Sequence, residues 1–197
     1  VSFPESLRNI GKNAFDGSAI SGNLILPNNL ETLGSSAFYL CHGLTGSLVI
    51  PDRIKTISSH SFQGCSFTGT LTLPDGLEEI QEAAFSGTGF KGELRIPDGV
   101  SIIESSAFSG ALFNGTLVLP KDLISLGSSV FKNCWRLSGV VEIPANIVAV
   151  PSRLFYQCTG LEGVKLHRDV EVIESSAFYN CSGIYSIVCE AKNPPTI

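Results

Sequence analysis

The residues of this 197-residue chain that could do chemistry are its six cysteines, three histidines and many serines and carboxylates. Thiolates with histidines could bind zinc, a serine beside a histidine could act as a nucleophile, and paired carboxylates could serve as acid and base. Structural zinc sites usually contain a C-x₂₋₄-C spacing, and no such spacing occurs in the sequence. The cysteine spacing therefore does not favour zinc.

Residues 87–92 read Gly-Thr-Gly-Phe-Lys-Gly and match the G-x-G-x-x-G pattern of dinucleotide-binding loops. Such a loop must follow a strand and open a helix. Here the match precedes the apolar alternation of residues 94–96 instead. We interpret residues 87–92 as a turn and predict no nucleotide cofactor.

These residues all lie within a unit that recurs at a spacing of 23 or 24 residues. We number positions in each unit from a marker, which is proline in seven units and histidine in the eighth. The markers are Pro4, Pro27, Pro51, Pro74, Pro97, Pro120, Pro144 and His167. Every unit has phenylalanine at position +11: Phe15, Phe38, Phe62, Phe85, Phe108, Phe131, Phe155 and Phe178. A fixed period of about 20–50 residues is the signature of a solenoid.

Each unit contains the elements that would position its side chains. Apolar residues at −3 and −1 alternate with an outward residue at −2, which predicts a strand that ends at the marker proline. One strand before each of the eight markers and a ninth at residues 187–189 would form a parallel sheet with a spacing of about 4.8 Å between strands. Apolar residues at +3 and +6 leave open a second, shorter strand. Serine at +8, before Ala-Phe, predicts the N-cap of a short helical or 3₁₀ turn.

The repeat separates the chemical candidates from one another. His42, His60 and His167 occupy three different positions, so they cannot form one metal site, and the serines are interpreted as caps. Glu104 and Glu174 share a position but lie three units apart. Five cysteines occupy position +14, and the sixth lies on an inward strand position, which favours buried free thiols over a disulfide framework. We therefore predict no catalytic site and no metal.

The composition of the chain excludes some classes of partner. The net charge of −5 and the pI near 5.2 argue against a nucleic-acid surface. No apolar run is long enough to span a membrane. The chain begins inside a repeat, and the repeat decays after about residue 189. We expect one domain over residues 1–197, with an N-terminus that looks cut.

The unit L-x-I-P-x-x-V-x-x-I-x-x-S-A-F-x-x-C resembles the BspA-like, treponemal-type leucine-rich repeat. Its in-phase copies cover essentially the whole chain. The resulting expectation is an α/β leucine-rich-repeat solenoid of about eight repeats, with a parallel sheet on one face and short helical or 3₁₀ turns on the other. The resemblance implies a bacterial cell-surface or secreted protein without catalytic activity. It also implies a protein partner, such as a host matrix protein or a surface protein of another cell.

The outward strand residues are the first candidates for partner binding. We call the −2 positions the strand column: Ser2, Ile25, Val49, Thr72, Arg95, Val118, Glu142, Lys165 and Val188. Apolar residues mixed with Arg95, Glu142 and Lys165 suit an interface, although β-branched residues are also simply good strand formers. Trp135 at +15 is a rival anchor, because the repeat does not require it.

Two further expectations concern assembly. A structural spacer that holds another domain away from the cell would fit the repeat as well as a binding module does. In addition, Val1, Phe3, Leu7 and Phe15 have no preceding unit to cover them, which predicts self-association through the N-terminal end.

Overall fold

The computed structural model describes residues 1–189, which form a parallel β-solenoid with one turn per repeat. Strands at the −2 position, which we call A strands, pair in parallel with the A strand one repeat away. Their bounds are Leu48–Val49, Leu71–Thr72, Leu94–Arg95, Leu117–Val118, Val140–Glu142, Gly163–Leu166 and Ser186–Cys189. In the first two repeats the A strand is reduced to a single bridge between Ser2 and Ile25. We call the surface formed by these outward residues the strand face.

The second short strand is present in every repeat at positions +5 and +6, and we call it the B strand. Its bounds are Asn9–Ile10, Thr32–Leu33, Thr56–Ile57, Glu79–Ile80, Ile102–Ile103, Ser125–Leu126, Ala149–Val150 and Val172–Ile173. B strands also pair in parallel, for example Ile102 with Ser125. A further pair joins Gly22–Asn23 to Leu44–Thr45.

The phenylalanines at +11 form one continuous stack along the interior. Neighbouring rings lie 5.1 to 5.8 Å apart between centroids and are stacked nearly parallel to one another. Phe67, Phe90 and Phe113 form a second, shorter stack beside it. Nine phenylalanines are fully buried, whereas Phe3, Phe15 and Phe178 near the two ends are half-buried. The predicted phenylalanine core is therefore confirmed.

The predicted helical or 3₁₀ turns are wrong, because the described residues contain no helix. In every repeat the residues at +9 and +13 have φ between 51° and 72°, which is the left-handed region. A right-handed helix requires negative φ at each successive residue. Two left-handed residues four positions apart therefore end any helix before it forms, and the serine at +8 caps nothing.

A third set of hydrogen bonds between repeats replaces the helix. At +9, +11 and +13 the backbone N–H donates to a carbonyl of the next repeat, as Phe85 does to Ala107 at 2.8 Å and Gly87 to Ser109 at 2.7 Å. The intervening N–H groups close tight turns within the repeat, as Ala84 does to Gln81 at 3.3 Å. We call this side of the solenoid the turn face. It is bonded from repeat to repeat, so the molecule has three bonded sides.

The two 24-residue repeats interrupt both strand sets. The chain has 24 residues between Pro27 and Pro51 and between Pro120 and Pro144, and at both places neither the A nor the B strands pair. The A strands are also unpaired between Thr72 and Arg95. The predicted unbroken sheet is thus wrong in this detail. Across the Pro120–Pro144 joint the turn face remains bonded, because Phe131 N–H donates to the Leu154 carbonyl at 3.0 Å.

The +7 glycines of the two long repeats pack closely against the preceding repeat. A Cβ on Gly127 would lie 2.4 Å from the backbone nitrogen of Ser105, and one on Gly34 would lie 2.4 Å from that of Lys12. Both glycines belong to 24-residue repeats. A side chain at either position would therefore collide with the backbone of the preceding repeat.

Candidate functional site

The cysteines at +14 are structural hydrogen-bond donors. Each thiol points at the carbonyl of the +11 phenylalanine one repeat earlier, as in Cys134 Sγ to Phe108 O at 3.1 Å and Cys158 Sγ to Phe131 O at 2.9 Å. Cys41, Cys65 and Cys181 make the same bond. All six cysteines are free thiols.

Burial makes these thiols poor nucleophiles. Desolvation raises the pKa of Cys65 and of Cys134 to about 12, and it also raises the pKa of Cys41, Cys158 and Cys181. The thiolate is the reactive form, so these side chains stay protonated and unreactive at neutral pH. Cys189, which was expected to point inward, is exposed.

The histidine side chains lie within hydrogen-bond distance of nearby groups. At the marker position His167 Nδ1 accepts the N–H of Asp169 at 3.2 Å, and its Nε2 lies 3.1 Å from the Ile147 carbonyl. His60 Nδ1 lies 2.6 Å from the amide oxygen of Gln63. Within residues 1–189, no three histidine, cysteine, aspartate or glutamate side chains cluster in a way that could hold a metal ion.

The glycine-rich stretch 87–92 is a turn between repeats, as its position before the strand predicted. Gly87 and Gly92 have φ of +69° and +84°. A Cβ on Gly89 would lie 2.4 Å from the Phe67 carbonyl oxygen, and Gly92 N–H donates to Asn114 Oδ1 at 2.7 Å. The stretch is adapted to its neighbouring repeats, which explains all three glycines.

The strand column lies at the surface, as the alternation predicted. Arg95 pairs in register with Val118, and Glu142 pairs with Lys165. Arg95, Glu142 and Lys165 are exposed, and Val118 is half-buried. Among the described residues none of these three charged side chains forms an ion pair or hydrogen bond. The column therefore presents charges that the fold itself does not use.

A groove on the strand face brings part of this column together. Its volume is about 460 Å³, and it lies at the joint between the sixth and seventh repeats, where the A strands are unpaired. Val118 and Glu142 line it, together with Lys121 and Val140. Lys165 adjoins the groove through its pairing with Glu142, and Arg95 adjoins it through Val118.

Trp135 is separate from this surface. It is 47% exposed and follows the buried Cys134. The Arg136 guanidinium lies 4.4 Å from its ring centroid, so the two side chains form a cation–π pair. Tyr156 and Tyr179, at position +12 of the next two repeats, stack at 4.9 Å. We call these three aromatic side chains, none of which belongs to the strand column, the aromatic region.

The recurring unit defines the family of the chain. The profile of the BspA type leucine-rich repeat region matches residues 1–114 and 92–194, in six copies. The chain belongs to the BspA-type leucine-rich repeat family. Leucine-rich repeat proteins of this kind are generally protein-interaction modules. Comparison with curated protein sequences finds no match.

Solved structures support the same BspA-type fold. A leucine-rich repeat protein from Bacteroides ovatus superposes with a TM-score of 0.64 at 23% identity over 97% of this chain. This chain spans 63% of that protein, which is less than two thirds of its length. The T. pallidum leucine-rich repeat protein gives a TM-score of 0.63 at 24% identity, covering 89% of this chain and 82% of the other. At these identities the likeness shows the fold alone.

The sequence predicted the exposed column of this BspA-type chain but not its groove. Lys121 and Val140, which line the groove, were not identified as candidates. The available signal was the extra residue between Pro120 and Pro144. The same joint also exposes Ile124 and Val148 beside a second groove of about 430 Å³ next to the B strands.

Proposed function

We propose that this chain is a non-catalytic protein-binding and adhesion module of a bacterial cell-surface or secreted protein. Its partner would be a host matrix protein or a surface protein of another cell, bound on the strand face. The observation that carries the proposal is the strand column. Arg95, Glu142 and Lys165 are exposed there with no partner among the described residues.

The charge placement argues for docking over simple solvation. The ion pairs of the described residues all lie elsewhere, joining Glu31 to Arg8 and Arg53, and Lys55 to Glu78. A surface that only had to remain soluble would gain nothing from leaving Arg95 and Lys165 unpaired next to exposed apolar side chains. Charged and apolar groups mixed around a depression are typical of interfaces, in which arginine is enriched.

The cell-surface assignment rests on the family. Membership in the BspA-type repeat family supports it, because the resemblance implies surface or secreted proteins that adhere to other molecules. The described residues contain no helix, and so none of the length and apolarity that crossing a bilayer requires.

The experiment begins with a panel of purified host matrix proteins and bacterial surface proteins, screened for binding to the immobilised chain. Against any partner found, the double variant Arg95→Glu/Lys165→Glu should bind tenfold or more weakly, which corresponds to ~1.4 kcal/mol. The matched control is Lys12→Glu/Lys91→Glu. It makes the same change in net charge at exposed residues outside the strand column and should bind like the wild type.

Two results would overturn the proposal. If the strand-face double variant keeps full affinity while Trp135→Ala loses it, the binding surface is the aromatic region instead. If no member of the panel binds at all, the spacer interpretation is favoured. Melting temperatures of every variant must match the wild type, so that lost binding cannot be attributed to unfolding.

A further inference from the structure

We infer that the partner segment recognised by the strand face is an extended stretch of protein that is both acidic and apolar. This inference rests on the proposed function and names the chemistry of its partner. Four cations in the fifth to eighth repeats carry it: Arg95, Lys121, Lys165 and Arg168 are exposed, and within residues 1–189 none forms an ion pair or side-chain hydrogen bond.

The sign of the charge changes along the solenoid. The residue after the marker is acidic in four of the first five repeats: Glu5, Asp52, Asp75 and Asp98. It is Lys121 in the sixth repeat and Arg168 in the eighth. The chain as a whole carries a net charge of −5. Lys121 and Arg168 therefore have the opposite sign to the net charge of the molecule.

In the first four repeats, by contrast, ion pairs occupy several cations. Arg8 lies 3.8 Å and Arg53 lies 3.2 Å from the same Glu31 carboxylate, and Lys55 lies 3.6 Å from Glu78. In these repeats an acid one turn away pairs with each of the three cations. Arg95, Lys121, Lys165 and Arg168 form no such pair, even though Glu142 lies in register with Lys165, and this leaves their charges available to an external anion.

The groove adds the apolar component. Its lining includes the buried Leu117, Leu119 and Ile143, and Val140 is 46% exposed at its wall. Lys121 lines the same groove. An apolar side chain of the partner can fill the groove while neighbouring carboxylates meet Lys121 and the flanking cations. A partner segment that is only acidic would leave the apolar wall uncovered.

The spacing fits an extended chain. Arg95 and Lys165 lie three repeats apart, which is at least about 14 Å, because paired strands are about 4.8 Å apart and one of the three steps crosses the unpaired joint. An extended segment advances about 3.3 Å per residue, so about four residues cover that distance. Alternate side chains of such a segment point to the same side, which lets acidic and apolar residues face the solenoid in turn.

Three acids among the cations favour a protein over a uniform polyanion. Glu142 lines the groove, Asp122 follows Lys121, and Asp169 follows Arg168. A densely charged chain such as heparin would meet these carboxylates wherever it met the cations. A protein segment can place a neutral or apolar residue opposite each of them.

The test is a selection of random peptides, long enough to span four repeats, on the full chain at physiological salt. The enriched peptides should combine Asp or Glu with an apolar residue. Their affinity, measured by fluorescence anisotropy, should fall tenfold or more in Lys121→Glu/Arg168→Glu. It should also fall in Ala145→Trp, which fills the groove from an exposed lining residue, and should stay unchanged in Lys12→Glu/Lys91→Glu.

The failures are distinguishable. The selected peptides could lack acidic residues, bind Lys121→Glu/Arg168→Glu as well as the wild type, and lose binding only to Ala145→Trp. That result would overturn this inference and leave the proposed function standing. Peptides indifferent to every strand-face variant would overturn both. Heparin or poly-aspartate that competes as strongly as the selected peptides would show a polyanion site and overturn the apolar part of the inference.

Discussion

Replacement of Phe108 by alanine tests whether the phenylalanine stack holds the solenoid together. Phe108 is fully buried in a central repeat. Its ring lies 5.4 Å from that of Phe85 and 5.8 Å from that of Phe131, and it meets Phe113 edge-on at 6.2 Å. The substitution removes the ring from the middle of the stack. Phe85 and Phe131 each lose the ring contact on the side that faced Phe108.

The expected loss lies in the upper part of the usual range of ~3–5 kcal/mol for Phe→Ala in a core. Three ring contacts disappear, each worth ~0.5–1.5 kcal/mol beyond area burial. The cavity cannot close easily, because every surrounding ring is itself held by the next repeat. Since each repeat contacts only its neighbours, the change weakens two interfaces at once.

The assay is urea unfolding followed by circular dichroism and by the fluorescence of Trp135, the single tryptophan. Ser105→Ala is the control, because Ser105 is exposed and its side chain makes no hydrogen bond among the described residues. Phe178→Ala, at a half-buried terminal ring, should cost less than Phe108→Ala. Equal midpoints for Phe108→Ala and Ser105→Ala would refute the role of the stack.

Three other predictions test separate features. Gly127→Ala should destabilise the fold by ~1–3 kcal/mol because its Cβ would meet backbone of the preceding repeat, whereas Gly11→Ala, with open space around it, should be neutral in thermal melts. The thiols of Cys65 and Cys134 have a pKa of about 12 in the folded chain, raised from 9.0. Unfolded thiols release protons first, so stability should decline as pH rises from about 9 toward 12, and Cys134→Ala should flatten that decline; an unchanged slope would contradict it. The exposed apolar Val1 should promote association, which Val1→Lys should reduce in light scattering at high concentration, and a wild type that stays monomeric would argue against it.

The repeat, the first strand and the burial of the phenylalanines could be predicted because they depend on apolar residues at fixed positions, whereas the second strand was left open. Leu94 and Ile96, for instance, alternate as a strand requires, and both are buried. Burial of apolar area is the main driving force of folding, so a regular apolar pattern determines the turns of the solenoid. These predictions required no knowledge of contacts between distant residues.

The turn face could not be predicted in the same way. Ala83 and Arg153 adopt positive φ at +9, although neither residue type favours it. Hydrogen bonds to the next repeat hold them there, as in Ala83 N–H to the Ser105 carbonyl at 3.1 Å. A local signal did exist at +13, where Gly110 and Asn133 suit left-handed geometry. The serine before Ala-Phe was instead interpreted as a helix cap.

The outward residues of the strand column could be predicted, but the groove beside them could not. Alternation alone placed Arg95 and Lys165 outside. The groove lies at the joint that carries the extra residue between Pro120 and Pro144. Which strands separate there depends on contacts between repeats, which the pattern within one repeat does not contain.

Hydrogen–deuterium exchange of the full chain with and without a bound partner or selected peptide tests the central claim most directly. On the strand face, residues 94–96, 117–121, 140–145 and 164–168 should be protected from exchange when the partner is bound. The turn face should change little. Protection that appears instead around Trp135 and Tyr156, with the strand segments unchanged, would contradict the assignment of the strand face as the docking surface.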